Sequence, residues 1–262
     1  VRELLEPGRT RARNLFVAEG RLVVRRLLEE TRLQVRSLLL SASAAAALAD
    51  ALSHVDAGIP VYVCPVEWFE PITGFHLHRG CLAIAERPQD HDWEAVARTA
   101  RTVVVLDGVS NPDNVGGMFR NAAAFGIDAV LLSPACGDPF YRKAVRTSMG
   151  AVMCVPHARL PEWPGAMVTL GALGFTRLAL TPREPSDQLA EWLRQASPAR
   201  WALIVGAEGP GLTAAVEDLA DHRLKIPISP EVDSLNVTVA AGIALAALSG
   251  ALSRTDPRAG GR

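Results

Sequence analysis

Lysine is nearly missing from this chain: Lys143 and Lys225 are the only two in 262 residues. With a net charge of −1, the sequence excludes a protein that grips nucleic acid through bulk positive charge, and leaves only local basic patches. Cysteine is sparse and has no pattern. Cys64, Cys81, Cys136 and Cys154 show no C-x-x-C spacing and no histidine pair nearby, so neither a zinc site nor a disulfide framework is expected. His76 and His78 form an H-x-H pair with no third ligand close by, and no metal is expected there. The most membrane-like run, Val237 to Leu252, contains Thr238, Gly242, Ser249 and Gly250 and falls short of the ~20 residues a span needs. The first residues are polar and arginine-rich with no apolar segment after them, so no secretory signal is expected and the cytoplasm is the expected location. Phosphate-loop, H-E-x-x-H, G-x-S-x-G and G-x-G-x-x-G signatures are all missing at the positions where they would carry chemistry.

What is present is an ordinary globular composition, 49% hydrophobic and 21% charged. The length suits one large domain or two ordinary ones. Val1 to Arg36 holds nine arginines against five glutamates, which reads equally as solvated helix faces or as a phosphate-binding surface. Apolar patterning predicts a helix over 14–30, a strand over 35–40, a helix over 42–53 and strands over 59–64 and 81–85. That is a small α/β unit, and the charged stretch 86–101 with Pro88 reads as its linker. Strands then fall at 103–106, 129–133, 151–155, 175–180, 201–205 and 223–226. Helices fall between them at 114–125, 140–148, 162–173, 187–195 and 212–220, with a last one at 235–253. Such alternation predicts a mostly parallel sheet covered on both faces.

Three loops stand out, each at the carboxyl end of an expected strand, where open α/β sheets bind ligands. The first follows Val103 to Leu106 and contains Asn111, Pro112, Asp113 and Asn114. Asp113 and Asn114 stand where a helix N-cap belongs, with Val115, Met118, Phe119 and Ala122 as the core-facing stripe and Gly126 at the C-terminal end. Arg120 lies about 140° around that helix from Val115, off its core side. Alone, an arginine there is an ordinary surface residue. In the second loop, Gly206-Ala207-Glu208-Gly209-Pro210-Gly211, three glycines would let the backbone approach a ligand closely. The third, Ile226 to Asn236, leads into a helix that is apolar or small all round, with Ser234 as a sensible N-cap. A helix with no polar face is expected to be buried on both sides.

Taken together, N-P-D-N-V-G-G-M-F-R-N-A at 111–122, I-V-G-A-E-G-P-G-L at 204–212 and I-P-I followed by S-L-N-V-T-V-A-A within 226–241 resemble, in order and spacing, the three signature motifs of the SpoU (TrmH-like) RNA 2′-O-ribose methyltransferases of the SPOUT superfamily. Asp138 to Ala151 is similar to the family's region between the first two motifs. Phe16-Val17-Ala18-Glu19-Gly20 and Gly80-Cys81-Leu82-Ala83 resemble the L30e-like substrate-binding domain that many members carry. The resemblance implies an α/β fold with a mostly parallel SPOUT-type sheet and a deep trefoil knot near the C-terminus, a rare departure from unknotted chains. It divides the chain into an L30e-like RNA-binding domain over 1–88, a linker over 89–101 and a catalytic domain over 102–262.

By motif position, the family's polar active-site residues fall on Asn114, Arg120, Glu208, Ser234 and Asn236. The implied cofactor is S-adenosylmethionine, held by Leu203, Val205, Gly206, Ala207, Glu208, Gly209, Gly211, Ile226, Ile228, Ser234, Leu235 and Asn236. Arg120 would either take the ribose hydroxyl's proton or, since a guanidinium normally keeps its charge, stabilise the developing alkoxide. Members act as homodimers. The implied partner is structured RNA, with ribosomal RNA ahead of transfer RNA, and Arg9, Arg11, Arg13, Arg142, Lys143 and Arg146 are the candidates for phosphate contacts. A non-catalytic RNA-binding protein that keeps the fold is the competing reading.

Overall fold

The computed structural model describes residues 12–74, 80–196 and 198–255. Two compact units emerge, and their boundary is not a simple cut in the sequence: the chain up to Gln89 is joined by Asp138–Cys154, while Asp90–Gly137 and the chain from Val155 onward form the other.

In the first unit, Leu15–Glu19 (β1), Val35–Leu40 (β2), Val61–Val63 (β3) and Cys81–Glu86 (β4) form a sheet in the order β1-β4-β2-β3. The strand β4 pairs antiparallel with β1 and β2, and β2 pairs parallel with β3. The apolar pattern predicts one helix over 14–30, but the segment splits into β1 and the helix Arg21–Glu29. Gly20 makes the break, with φ of 96°, a backbone region that L-residues rarely adopt. Phe16, Val17 and Ala18 are all buried; a strand covered on both faces shows such a run instead of alternation. One covering layer is the helix Arg142–Thr147, which packs on β1. Phe140 places its ring 4.9 Å from that of Phe16, and Arg87 grips Asp138 through two bonds of 2.9 and 2.7 Å. The expected strand over 151–155 is a single 3₁₀ turn, Ala151–Met153, whose apolar side chains are buried in this unit without joining a sheet.

The second unit carries Thr102–Asp107 (β5), Ala129–Leu132 (β6), His157–Arg159 (β7), Thr176–Leu180 (β8), Asp187–Gln188 (β9), Trp201–Gly206 (β10) and His222–Lys225 (β11). All pairings are parallel, in the order β7-β6-β5-β10-β8-β11-β9. Val103, Val104, Val105 and Leu106 are wholly buried in β5, each contributing about 1.5–3 kcal/mol relative to exposure. The chain moves outward from β5 through β6 to β7 and then crosses to the other side, with β10 returning beside β5. The boundary between β5 and β10 is therefore a topological switch point, where the following loops part and leave a crevice.

The helix Pro112–Ala124 follows β5. Its N-cap is Asn111, whose side chain accepts from the Asp113 N–H at 2.9 Å, with Pro112 in the first turn. This corrects the expectation of a cap at Asp113 or Asn114, and proline's fixed φ and missing donor explain why the helix starts sooner. Val115, Met118, Phe119 and Ala122 are the buried stripe, and Gly126 leaves the helix with φ of 66°. The last helix, Val237–Thr255, packs against Pro112–Ala124 through Ala241, Ala244, Leu245 and Leu248. Within one chain it is covered on one side only, and Val239 is 51% and Ile243 44% exposed. Among the described residues no helix is long and apolar enough to cross a membrane.

Candidate cofactor cavity and polar cluster

A cavity of about 400 Å³ opens at the carboxyl ends of β8, β10 and β11. The β8 end supplies Leu180, Thr181, Pro182 and Arg183; the β10 end supplies Val205 to Leu212; the segment after β11 supplies Ile226, Ile228 and Ser234 to Val237, with Ala240. The glycine-rich loop is tightly folded. The Gly211 N–H bonds the Ala207 carbonyl at 3.0 Å, and Gly211 has φ of 67°. A methyl group placed on Gly206 would collide with the Gly211 carbonyl carbon and the Leu212 nitrogen, so only glycine lets the loop return over its own strand.

Beside the cavity, the starts of two helices and the glycine loop bring their polar side chains together. Asn236 Nδ2 donates to Glu208 Oε1 at 2.5 Å and lies 3.2 Å from Asn114 Oδ1. The Thr238 hydroxyl donates to the same Asn114 oxygen at 3.2 Å. Asn236 Oδ1 accepts the backbone N–H groups of Thr238 and Val239 at 2.9 and 3.4 Å. It is thus Asn236, and not the expected Ser234, that caps the last helix. The two helices approach closely here, because a Cβ at Gly117 would collide with Thr238 Cγ2, and Asn121 Nδ2 donates to the Thr238 carbonyl at 2.8 Å. Asn114 is only 6% exposed, and its carbonyl oxygen is satisfied by these donors, as a buried polar group must be.

Of the candidates named from sequence, Val205, Gly206, Ala207, Glu208, Gly209, Gly211, Ile226, Ile228, Ser234, Leu235 and Asn236 all line the cavity. Leu203 does not. It sits in the middle of β10, wholly buried, with β5 and β8 paired on its two sides, so its backbone groups are already engaged. Asn114 adjoins the cavity through Asn236. Arg120 stands apart: it is exposed, about 120° around its helix from Asn114, and makes no hydrogen bond or ion pair among the described residues. In the first unit Arg13, Lys143 and Arg146 are exposed, whereas Arg142 donates to Glu19 at 2.8 Å, with Arg146 3.6 Å from the same carboxylate. Arg9, Arg11, His76 and His78 lie outside the described residues. Among the described residues no His, Cys, Asp and Glu side chains gather into a metal-holding group. Sequence reasoning overlooks Thr181, Arg183 and Thr238. The signal for the first two is their position at the carboxyl end of an expected strand.

Electrostatically, the carboxyl edge holds one further group. Asp107 ends β5 and pairs in register with Gly206. The Trp163 indole N–H donates to its carboxylate at 2.7 Å, but burial prevails and pushes the carboxyl above its usual range.

Residues 101–246 match the model of the SpoU rRNA Methylase family. The chain belongs to that family. This SpoU chain is 45% identical over 230 residues to an uncharacterized tRNA/rRNA methyltransferase of Mycobacterium tuberculosis, covering 88% of this chain and 79% of the relative. It is 31% identical over 200 residues to the 23S rRNA (guanosine(2553)-2′-O)-methyltransferase RlmP of Bacillus subtilis, covering 76% of each. Its fold is that of an AdoMet-bound rRNA methyltransferase from Sinorhizobium meliloti, with a TM-score of 0.78 at 24% identity over 97% of this chain and 92% of that one.

Proposed function

We propose that this SpoU chain transfers a methyl group from S-adenosylmethionine to a ribose 2′-hydroxyl of ribosomal RNA. The observation that carries the reading is the meeting of Asn114, from the first turn of a helix, with Glu208 and Asn236, from two separate loops, beside a cavity walled by a glycine loop. The residues present fit the cofactor. About 400 Å³ lies within the range of small-molecule sites. Leu180, Val205, Ile226, Ile228 and Leu235 offer apolar walls for an adenosyl group, the loop offers close backbone approach, and Glu208 offers negative charge toward a sulfonium or ammonium. The name of the Bacillus subtilis relative supports ribose of ribosomal RNA as acceptor, and the mycobacterial name keeps transfer RNA as the second reading.

When bound, the cofactor supplies an electrophilic methyl carbon. The hydroxyl that attacks it is a weak nucleophile until its proton passes to solvent water, and a fixed positive charge lowers the cost of the forming alkoxide. Arg120 takes that role. Asn236, held by Glu208 and Asn114, orients the cofactor end that faces the ribose. Ser234 lines the same wall.

Since Arg120 lies off the cavity within one chain, the reading includes a homodimer. Its support is the apolar stripe Val239, Ile243 and Ala246 left exposed on the last helix. A second copy on this face would bring its Arg120 toward the first chain's cavity. The return of β10 between β5 and β8, with the loops after β10 and β11 lining one cavity, supports a deep trefoil knot in this part of the chain. The first unit, read as L30e-like, would hold the RNA through Arg9, Arg11, Arg13, Lys143 and Arg146.

The test is incubation with methyl-labelled S-adenosylmethionine and ribosomal RNA that lacks the modification. Label is expected in ribose. Arg120→Ala is expected to abolish transfer while cofactor affinity stays within about threefold. Cofactor binding without transfer to either ribosomal or transfer RNA would instead support a non-catalytic RNA-binding protein.

A further inference from the structure

Arg183 sits just beyond the carboxyl end of β8 and faces the glycine loop across the cavity wall. Its guanidinium makes a two-pronged contact: Nη1 donates to the Leu212 carbonyl at 2.8 Å and Nη2 to the Pro210 carbonyl at 2.7 Å. Behind it stands Glu217, only 6% exposed, with Oε1 3.5 Å from Arg183 Nη1. The Thr181 hydroxyl completes the assembly. It donates to Glu217 Oε1 at 2.8 Å and accepts the Arg183 backbone N–H at 3.2 Å. Thr181 is itself buried and lines the cavity.

These contacts join two walls of one cavity. The loop from Ala207 to Leu212 leaves β10 and folds back toward Gly206 before the helix Ala214–Leu219, with one internal backbone bond, between Gly211 and Ala207, and with Gly206 at its start carries three glycines that hold no preferred conformation of their own. The carbonyls of Pro210 and Leu212 lie on its returning limb. A planar fork that takes both at once fixes that limb in position and in orientation; a single ammonium on a flexible stem would fix it less well. The buried Glu217 carboxylate needs a cation and a donor to be tolerable, and Arg183 and Thr181 supply them.

We infer that Arg183, braced by Glu217 and Thr181, is the positioning residue that holds the glycine loop in its cofactor-binding form. The inference rests on the cofactor reading of the cavity. It concerns the shape of the site rather than the transfer step, so its signature is a separation of binding from turnover. A binding wall displaced by a fraction of an ångström weakens a ligand that every part of the loop touches, while the reacting end, positioned by Asn236 and Arg120, keeps its arrangement once the site is filled.

The experiment compares the whole wild-type chain with Arg183→Met and Arg183→Lys, measuring S-adenosylmethionine and S-adenosylhomocysteine affinity, KM, kcat and Tm. For Arg183→Met, the Kd and KM for S-adenosylmethionine are expected to rise about tenfold or more, with kcat at saturation within about threefold. S-adenosylhomocysteine affinity should fall by the same factor, because it meets the same loop. Arg183→Lys, which can reach one carbonyl, should recover part of the loss. Unchanged cofactor affinity in Arg183→Met would overturn the inference, as would a fall in kcat without a rise in KM. A loss confined to the sulfonium ligand would overturn it too, since that is an effect of charge and not of loop position. If the wild type itself binds neither ligand, the cofactor reading fails first, and the inference with it.

Discussion

Asp107 ends β5 at the carboxyl edge of the sheet, in register with Gly206. Its carboxylate accepts from the Trp163 indole and from the backbone of Thr213, the residue whose hydroxyl caps the helix Ala214–Leu219 just after the glycine loop. Burial nevertheless lifts the carboxyl above its ordinary range. A carboxyl that holds its proton more tightly in the folded chain than in the unfolded one favours folding fully below the unfolded value. That contribution is lost as pH rises through the folded value. Asp107→Asn keeps the shape and an acceptor for Trp163 without the charge. The Tm of the wild type minus that of Asp107→Asn is therefore expected to fall as pH rises from about 4 upward, measured by thermal denaturation across that range. A difference that grows with pH would show that the two N–H donors, not burial, dominate. At this same scale Asn114, Glu208 and Asn236 are legible through the resemblance of their three motifs to the SpoU family, which singles out these positions. For Arg183 and Thr181 the only signal is their place at the carboxyl end of an expected strand, because their partners are backbone carbonyls and a buried glutamate distant in sequence.

Among the elements, the glycine loop is where sequence and geometry are most tightly tied. Gly206 is required by the approach of Gly211, whereas Gly209 has φ of 87° with nothing close to where a Cβ would stand. Gly206→Ala is expected to displace the loop and lower cofactor affinity at least tenfold, read as loss of the thermal shift that S-adenosylmethionine produces in the wild type. An unchanged shift would mean that the loop tolerates the clash. The elements that sequence reading misses share a physical cause. Leu15–Glu19 is a covered strand of consecutive apolar residues, a pattern that periodicity cannot separate from a buried helix turn; Gly20 and its positive φ are the distinguishing feature. Ala151–Met153 is apolar for the same reason of burial and yet forms no ladder. His157–Arg159 is a short edge strand with one buried residue, too little for any pattern to register. The central strands β5, β6 and β10, each a mostly apolar run buried along nearly its whole length, are legible throughout.

For the whole molecule, methyl transfer as proposed needs two copies of the chain. The last helix turns Ala241, Ala244, Leu245 and Leu248 inward and leaves Val239, Ile243 and Ala246 at the surface, a face that a monomer has no reason to keep apolar. Ile243→Lys would place a charge in the middle of that stripe. It is expected to yield a monomer by sedimentation and to lose methyl transfer, while Ile243, which does not line the cavity, leaves cofactor binding within about threefold. A variant that stays dimeric and active would remove the dimer reading. The chain's near-neutral balance, −1 overall, fits an RNA partner held by localised arginines and not by the whole surface.

The central claim is that the loops after β8, β10 and β11 form one site for S-adenosylmethionine. Titration calorimetry of the whole chain with S-adenosylmethionine tests it most directly. One site per chain, competed by S-adenosylhomocysteine and weakened in Gly206→Ala, is the predicted result. Absence of binding at millimolar ligand, or binding that Gly206→Ala leaves untouched, would contradict it.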